Sequence, residues 1–312
     1  MTSWIFFILD IGIIFLIYGL GKWDASFKGN KFFSMTLPEE AFHHHAIEAI
    51  KQRYVKQITI SFGLMIGLSC GQIMISFSYM SLSLMYFFFT LLLSLILPMI
   101  WYIKANESTR ALKVKEGWEA GAYIRGIHED DFWIRGILYH NPHDSARQVN
   151  KRMGIGLTPN LAYASARWLY FILMVGGISL IVFLCGGLYY METKVPEYTL
   201  EENELVVHYP IYYYRVALNE IQDVKILKEP PAMSKSNGIE TDRFARGFFY
   251  IEGKGSGYVC VYKHSPCLLL MTKLGVVLIN DRSAQGTYDL LEAIDLAHPE
   301  LEMNYQREDI KR

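Results

Sequence analysis

Four long apolar runs stand out from an otherwise ordinary mixture of hydrophobic and polar positions along the chain. Each run is long enough, or nearly so, to cross the roughly 30 Å hydrocarbon core of a bilayer as a helix rising about 1.5 Å per residue. Trp23, Trp101 and Trp168 lie at ends of these runs, where amphipathic rings favour the headgroup level. The pattern predicts an α-helical membrane domain with four transmembrane helices, at residues 4–20, 58–79, 82–103 and 168–190.

The first run is predicted to be a retained anchor rather than a cleaved signal peptide. No Lys or Arg precedes it, and Gly19, Leu20, Gly21 and Lys22 stand where a cleavage site of small residues would be expected.

The basic residues predict how these helices are oriented. Residues 21–57 contain six Lys and Arg residues and residues 104–167 contain ten, whereas the predicted turn at Met80 and Ser81 contains none. Because basic residues are retained on the cytoplasmic side, both long loops are expected in the cytoplasm. The N-terminus and everything after Tyr190 are then expected outside.

The overall charge excludes a class of partner. The chain has 30 basic and 31 acidic residues, so it lacks the basic excess of a nucleic-acid-binding protein. The segment after Tyr190 has 14 basic and 19 acidic residues, a formal charge of about −5, which an exported domain tolerates.

Small residues indicate a packing face in the second predicted helix. Gly63, Gly67 and Gly71 recur every four residues, and this spacing lets another helix approach closely. We expect the face to pack inside this protein, with a homodimer seam as the alternative.

Asp10 lies within the first predicted helix, where an ionised carboxylate is costly to bury. One interpretation is a hydrogen-bonded acid that faces Gln72, Ser69 or Ser76. The alternative is a proton or ion pathway, although no Lys, Arg or His lies in any of the predicted spans.

Three consecutive histidines, His43, His44 and His45, precede Glu48 in the first cytoplasmic loop. Pro38 and the acidic residues after it favour the start of a helix leading into the second span. Adjacent histidines fan out around a helix, so we expect a polar interfacial helix and neither a metal site nor a cofactor. The alternative is a membrane enzyme or transporter that uses Asp10 or the cluster from His43 to Glu48.

The second cytoplasmic loop carries a distinctive block of Trp, Gly, Tyr, Asn-Pro and Asp. Its residues lack helical periodicity, so a loop pressed onto the inner membrane face is expected. The block resembles a short domain of unknown function that precedes a last transmembrane helix in bacterial membrane proteins, some related to immunity and sensing proteins of the Sdp type. The resemblance rests on Trp133, Gly136, Tyr139, Asn141, Pro142, Asp144, Lys151, Arg152, Gly154, Gly156 and Asn160.

After Glu192 the pattern changes to alternating apolar and polar positions separated by turn residues. It predicts an all-β domain of seven short antiparallel strands, followed by one amphipathic capping helix at residues 287–296. The strands are expected at residues 205–209, 212–217, 221–227, 247–252, 258–262, 268–271 and 276–280.

This order of strands and helix resembles a pleckstrin-homology fold, and more closely a bacterial pleckstrin-homology-like domain. The resemblance is carried by Asn237-Gly238, Arg246-Gly247 and the strand at residues 258–262. It implies a binding or assembly module and does not by itself imply phosphoinositide binding.

A polar stretch at residues 229–243 is predicted to be a long loop, which is uncommon unless it is functional or disordered. We expect partner recognition there or along a strand edge, with Met233, Lys235, Asn237 and Arg243 as the candidate residues.

Cys260 and Cys267 fall on successive predicted strands, so a disulfide across the turn between them is possible in an oxidising location. Cys70 and Cys185 lie in predicted spans, where they are interpreted as small packing residues.

The sequence therefore predicts a membrane domain at residues 1–192 and an extracytoplasmic pleckstrin-homology-like domain at residues 193–312. The predicted function is a non-enzymatic, multi-pass protein of the bacterial cell membrane, of binding, sensing or immunity type. Its predicted partners are the lipid bilayer and an envelope protein or peptide, with a homo-oligomer as a further possibility.

Overall fold

The computed structural model describes residues 2–75, 79–297 and 299, and the chain divides into two compact units, Met1–Leu188 and Tyr189–Arg312. The predicted fold class is confirmed, because four long apolar helices precede a β-rich domain that ends in a helix. The helices are α1 (Thr2–Asp24), α2 (His45–Met74), α3 (Met80–Lys115), α4 (Ala164–Thr193) and α5 (Ala284–Ala297).

The first four helices are each long and apolar enough to cross a membrane. α1, α2 and α3 pack against one another, whereas nearly all of the apolar surface of α4 is exposed. α2 ends at Met74 and α3 begins at Met80, so the turn predicted at Met80 and Ser81 is misplaced. Residues 75–79 contain no Lys or Arg, so the argument from basic residues for the orientation of the helices is unaffected.

The face of α2 that packs against its neighbours differs from the predicted one. Ser61, Met65 and Ser69 are buried, at helical spacing of four residues. Gly63 and Gly67 are exposed, and a Cβ at either position would meet nothing within 4 Å. Gly71 is the member of the predicted stripe that packs closely, because a Cβ there would meet the hydroxyl of Tyr86 on α3.

Residues 25–44 and 116–163 fold together at one end of the α1–α3 bundle, and we call these two segments the cap. Phe33 is buried at its centre, with ring centroids 4.8 Å from Tyr54 of α2 and 5.5 Å from Tyr102 of α3. Four antiparallel strand pairs shape the cap. They are β1 (Lys31–Phe32) with β2 (Met35–Thr36), β3 (Tyr123–Ile124) with β4 (Ile127–His128), β5 (Trp133–Ile134) with β6 (Leu138–Tyr139), and β7 (Gln148–Asn150) with β8 (Leu157–Pro159).

The C-terminal unit contains nine strands among its described residues, two more than predicted. They form a three-stranded sheet in the order β11-β10-β9 and a six-stranded sheet in the order β12-β16-β17-β15-β14-β13. The strands are β9 (Glu197–Glu201), β10 (Glu204–His208), β11 (Tyr214–Ala217), β12 (Ile221–Leu227), β13 (Met233–Glu240), β14 (Phe244–Ile251), β15 (Gly255–Tyr262), β16 (Cys267–Thr272) and β17 (Gly275–Ile279).

The larger sheet is not purely antiparallel, because β15 and β17 pair in parallel. Alternate residues along β15 enter two hydrophobic clusters: Tyr258 and Cys260 join one, and Val259 and Val261 the other. α5 contributes Leu291 and Ile294 to the first cluster. The capping helix predicted at residues 287–296 is therefore present and slightly longer.

The disulfide considered between Cys260 and Cys267 is not formed. Both cysteines are free and buried. β17 lies between their strands, and the two side chains belong to different hydrophobic clusters. The sequence separation suggested a hairpin, but the order of the strands in the sheet separates the two thiols.

Candidate functional site

The residues predicted to bind a partner lie along one exposed edge of the six-stranded sheet. Met233, Lys235 and Asn237 are in β13, and Arg243 lies in the turn that leads into β14. β13 pairs with β14 on one side, and no described strand pairs with its other side. The structure thus brings the four residues together on one hairpin, which we call the edge hairpin (residues 233–251).

The outer side of β13 presents backbone hydrogen-bonding groups. The N–H of Glu252 donates to the carbonyl of Ala232 at 3.0 Å, which fixes the phase of the ladder just before β13. Hydrogen-bonded and non-hydrogen-bonded pairs alternate in an antiparallel ladder, so Met233 and Lys235 direct their N–H and C=O groups away from β14. A row of outward donors and acceptors is what an extended peptide needs to add a strand.

The expectation of a long loop at residues 229–243 is wrong, because eight of these residues form β13. The polar composition reflects the exposure of an edge strand rather than an irregular backbone. Gly238 permits close pairing, since a Cβ there would lie 2.5 Å from the carbonyl oxygen of Arg246. A bulge between Lys235 and Asn237 interrupts the regular register with β14.

Arg246 of the edge hairpin is fully buried and has no carboxylate partner among the described residues. Its guanidinium lies 4.3, 4.4 and 4.9 Å from the ring centroids of Tyr209, Phe244 and Tyr262. Nη1 also donates to the carbonyl of Lys194 at 3.0 Å. Aromatic faces and a carbonyl oxygen stabilise this cation in place of an anion. These contacts hold the buried face of β14 against the rest of the domain.

A family model described as a bacterial PH domain matches residues 196–286. The C-terminal unit contains a bacterial PH domain. The edge hairpin lies inside the matched residues, so the candidate recognition edge belongs to the PH domain. The block from Trp133 to Asp144 lies outside the match, and its resemblance to proteins of the Sdp type stays a prediction. No curated protein and no solved structure matches the chain.

A second candidate site is a cluster of charged residues in the cap. Asp130 is 1% exposed, and its carboxylate accepts hydrogen bonds from Nη1 of Arg152 at 2.7 Å and Nζ of Lys113 at 3.0 Å. The backbone N–H and the hydroxyl of Thr36 donate to the same carboxylate. A buried carboxylate is costly unless it is paired and hydrogen-bonded, and Asp130 is both.

The neighbours of Asp130 keep it charged. Burial alone raises the pKa of a carboxyl group, but the hydrogen bonds and charges of Arg152 and Lys113 outweigh burial and place the pKa of Asp130 below its ordinary value. The ion cluster therefore persists at neutral and mildly acidic pH.

Asp24, the last residue of α1, connects that helix to both segments of the cap. Its carboxylate pairs with Nζ of Lys28 at 2.5 Å and accepts the backbone N–H of Gly154 at 2.8 Å. Lys28 also donates to the carbonyl of Arg152 at 3.2 Å. The segment around Lys151 and Arg152 is thereby held against the end of α1.

A cavity of about 360 Å³ opens beside these ion pairs. Phe33, Trp133 and Tyr139 supply aromatic lining, and Lys31 and Lys151 supply basic lining. The guanidinium of Arg152, another lining residue, stacks 4.9 Å from the ring centroid of Trp133. The sequence did not indicate this cavity, because its walls come from segments more than a hundred residues apart.

The block from Trp133 to Asp144, predicted to be a loop on the inner membrane face, contains the strand pair β5 and β6, and two buried asparagine contacts follow it. Asn141 and Asn160 are fully buried and bond reciprocally: the N–H of Asn141 donates to Oδ1 of Asn160 at 3.0 Å, and Nδ2 of Asn160 to the carbonyl of Asn141 at 2.8 Å. The Tyr139 hydroxyl donates to Asp144 at 2.8 Å. These polar residues position β5 to β8 and so shape the cavity wall.

The intramembrane polar residues have partners inside the bundle. Asp10 is 2% exposed, and the hydroxyl of Ser69 donates to its Oδ2 at 2.5 Å. Gln72 donates instead to the hydroxyl of Ser83 at 2.6 Å. Ser76, the third partner considered for Asp10, lies outside the described residues.

The histidine cluster marks a helix start rather than lying within a helix. His43 ends a short 3-10 helix, and α2 begins at His45 instead of near Pro38. The side chain of His44 accepts the backbone N–H of Ala46 and so caps α2. In the described part of the chain, no group of three or more His, Cys, Asp or Glu residues is placed to hold a metal ion.

Proposed function

We propose that this chain is a non-enzymatic integral membrane protein of binding or sensing type, whose PH domain recognises a protein partner. The partner contributes an extended segment that adds to β13 as a further strand. The observation that carries this proposal is the exposed outer edge of β13, with the outward backbone groups of Met233 and Lys235. Main-chain hydrogen bonds then supply affinity, and exposed side chains such as Asn237 supply specificity.

The predicted orientation makes the partner an envelope protein or peptide. Six and ten basic residues in the two loops favour the cytoplasm for both, which leaves the PH domain outside. One contact in the cap supports part of this argument: Thr36 of the first loop bonds directly to Asp130 of the second, as expected if both loops lie on the same side of the membrane. Immunity of the Sdp type would be one case of such binding, with a toxin as the partner.

A proline at Lys235 tests the proposal most directly. Proline removes the outward N–H of Lys235, which makes no bond to β14, and prolines are tolerated on the solvent side of edge strands. We expect Lys235→Pro to abolish partner capture by the full chain in cells while the PH domain stays folded. Lys235→Ala is the matched control, since it removes the charge but keeps the N–H.

The readout is site-specific photocrosslinking from position 237 in cells, followed by mass spectrometry of the captured protein. Crosslinks that vanish in Lys235→Pro and persist in Lys235→Ala support strand addition. Crosslinks that persist at the same level in both variants would place the recognition surface elsewhere on the domain.

A further inference from the structure

We propose that the cavity in the cap binds the phosphate of an anionic phospholipid headgroup. The cavity lies in the N-terminal unit and is independent of the edge hairpin, so this inference does not rest on the function proposed for the PH domain. Its volume of about 360 Å³ falls in the range of ligand pockets, about 300 to 1,000 Å³.

The charges that line the cavity leave a positive surplus. Four lining residues are basic, Lys28, Lys31, Lys151 and Arg152, and one, Asp24, is acidic. Lys28 is paired with Asp24, and Arg152 is paired with Asp130 behind the cavity wall. Lys31 and Lys151 have no ion-pair partner among the described residues. Two uncompensated cations on one cavity favour an anionic ligand.

Ion pairing, stacking and hydrogen bonds hold the cavity wall around Arg152, Trp133 and Ser34 in place. Only 8% of the Arg152 side chain is exposed. Its Nη1 lies 2.7 Å from Oδ1 of Asp130, and its guanidinium stacks 4.9 Å from the ring centroid of Trp133. The hydroxyl of Ser34 donates to the carbonyl of Gly136, which fixes the adjacent wall. Because this wall is already ordered, ligand binding would have to order only the side chains of Lys31 and Lys151, which keeps the entropy cost of binding low.

The position of the cavity along the chain favours a lipid over a soluble phosphate. Asp24 ends the first apolar helix, and Tyr102 lies where the third apolar run stops. Cations lie over the neighbouring indole rings: Nζ of Lys28 is 4.3 Å from the ring centroid of Trp23, and Nζ of Lys104 is 4.6 Å from that of Trp101. Indole rings and lysines at this depth mark the headgroup level, where phospholipid phosphates are concentrated.

The test measures lipid retention by the full chain with native mass spectrometry from a non-ionic detergent. Phosphatidylglycerol and phosphatidylcholine are the probes, because both carry a phosphate and only the first is anionic. We expect one phosphatidylglycerol to bind about tenfold more tightly than phosphatidylcholine, and Lys31→Gln/Lys151→Gln to remove this preference. Lys151→Gln alone, at an exposed position, should remove part of it.

The control is Lys56→Gln/Arg125→Gln, which removes the same charge from exposed positions outside the cavity. Retained preference in the control supports a site, whereas equal loss in both double variants means general attraction to basic surface and overturns the proposal. Glycerol phosphate and inorganic phosphate form the second arm. Tighter binding of phosphatidylglycerol than of either soluble phosphate supports a headgroup site, and binding of the soluble phosphates without retention of phosphatidylglycerol would assign the cavity to a soluble phosphate instead.

Discussion

Asp130 links three separate segments, because it bonds to Thr36 of the first loop, Lys113 of α3 and Arg152 of the second loop. Asp130→Asn keeps the shape but leaves two buried cations without their carboxylate. We expect a loss of about 3 kcal/mol in the stability of the N-terminal unit, since breaking one side of a buried ion pair is strongly destabilising. Thermal unfolding of the full chain in detergent measures this loss.

The pH dependence of the same residue gives a second readout. The folded pKa of Asp130 lies below the unfolded value of about 3.9, so its contribution is fully present above that value and is lost as the pH falls through the lowered folded pKa. The wild type should lose this stability in strong acid and Asp130→Asn should not. Asp131→Asn is the control, because its pair with Arg110 is half exposed and its loss should cost less than about 1 kcal/mol.

The two cysteines of the PH domain should resist alkylation. Cys260 and Cys267 are fully buried, and burial raises the pKa of Cys267 to about 12. A thiol with so little thiolate at pH 8 reacts only when the domain opens. We expect labelling by iodoacetamide at least about a hundredfold slower than at Ser256→Cys, an exposed site on the same domain. Fast labelling, or a disulfide found by mass spectrometry, would contradict the sheet order described for β15, β17 and β16.

At the level of residues, the sequence identified the contact of a polar group that needs a hydrogen-bond partner in apolar surroundings. Asp10 needs a hydrogen-bond donor in an apolar span, and Ser69 was among the few available. The sequence could not identify the tie between Asp130 and Thr36, because polar residues are common in loops and the two positions are 94 residues apart.

Among the helices, Gly71 is the glycine of α2 at which an added Cβ would clash with a neighbour. A Cβ there would clash with the hydroxyl oxygen of Tyr86, which itself donates to the carbonyl of Leu68 at 2.6 Å. We expect Gly71→Ala to destabilise the α2–α3 pair by about 1 to 2 kcal/mol, a typical cost of overpacking. Gly67→Ala should change stability by less than about 0.5 kcal/mol, since nothing lies within 4 Å.

Tyr86→Phe provides the matched test of this explanation, because it removes the oxygen nearest to the new methyl group. The double variant Gly71→Ala/Tyr86→Phe should be less destabilised than the sum of its parts. Strict additivity would mean that the cost at Gly71 has another origin, and thermal unfolding in detergent distinguishes the two results.

The elements that were predicted correctly are those whose burial pattern is local. Apolar length alone identifies the four membrane-type helices, and α5 follows from one apolar stripe. β13 was missed because an edge strand exposed to solvent is polar on both faces, so its only signature is backbone pairing with β14. The short hairpins of the cap were missed for a related reason, since two or three residues per strand are too few to show a period.

For the molecule as a whole, the orientation in the membrane is the prediction on which the identity of the partner depends. In a variant whose four native cysteines are replaced, a membrane-impermeant maleimide should label Ser256→Cys of the PH domain in intact cells. Ser145→Cys of the cap should be labelled only after permeabilisation. Both positions are exposed in their own unit, so accessibility within the fold does not bias the comparison. The reverse pattern would place the PH domain in the cytoplasm.

The cap also has a consequence for how the chain is made. The carbonyl of Ser34 accepts from the guanidinium of Arg152, and these residues are 118 positions apart with two membrane helices between them. At a synthesis rate of about 5 to 20 residues per second, the first loop waits roughly 6 to 24 seconds for its partners to leave the ribosome. During that interval Phe33 can already pack on Tyr54 and then on Tyr102, whereas the carbonyl of Ser34 still lacks its guanidinium partner. Assembly of the cap thus becomes a timed step, completed only after the third helix has been inserted.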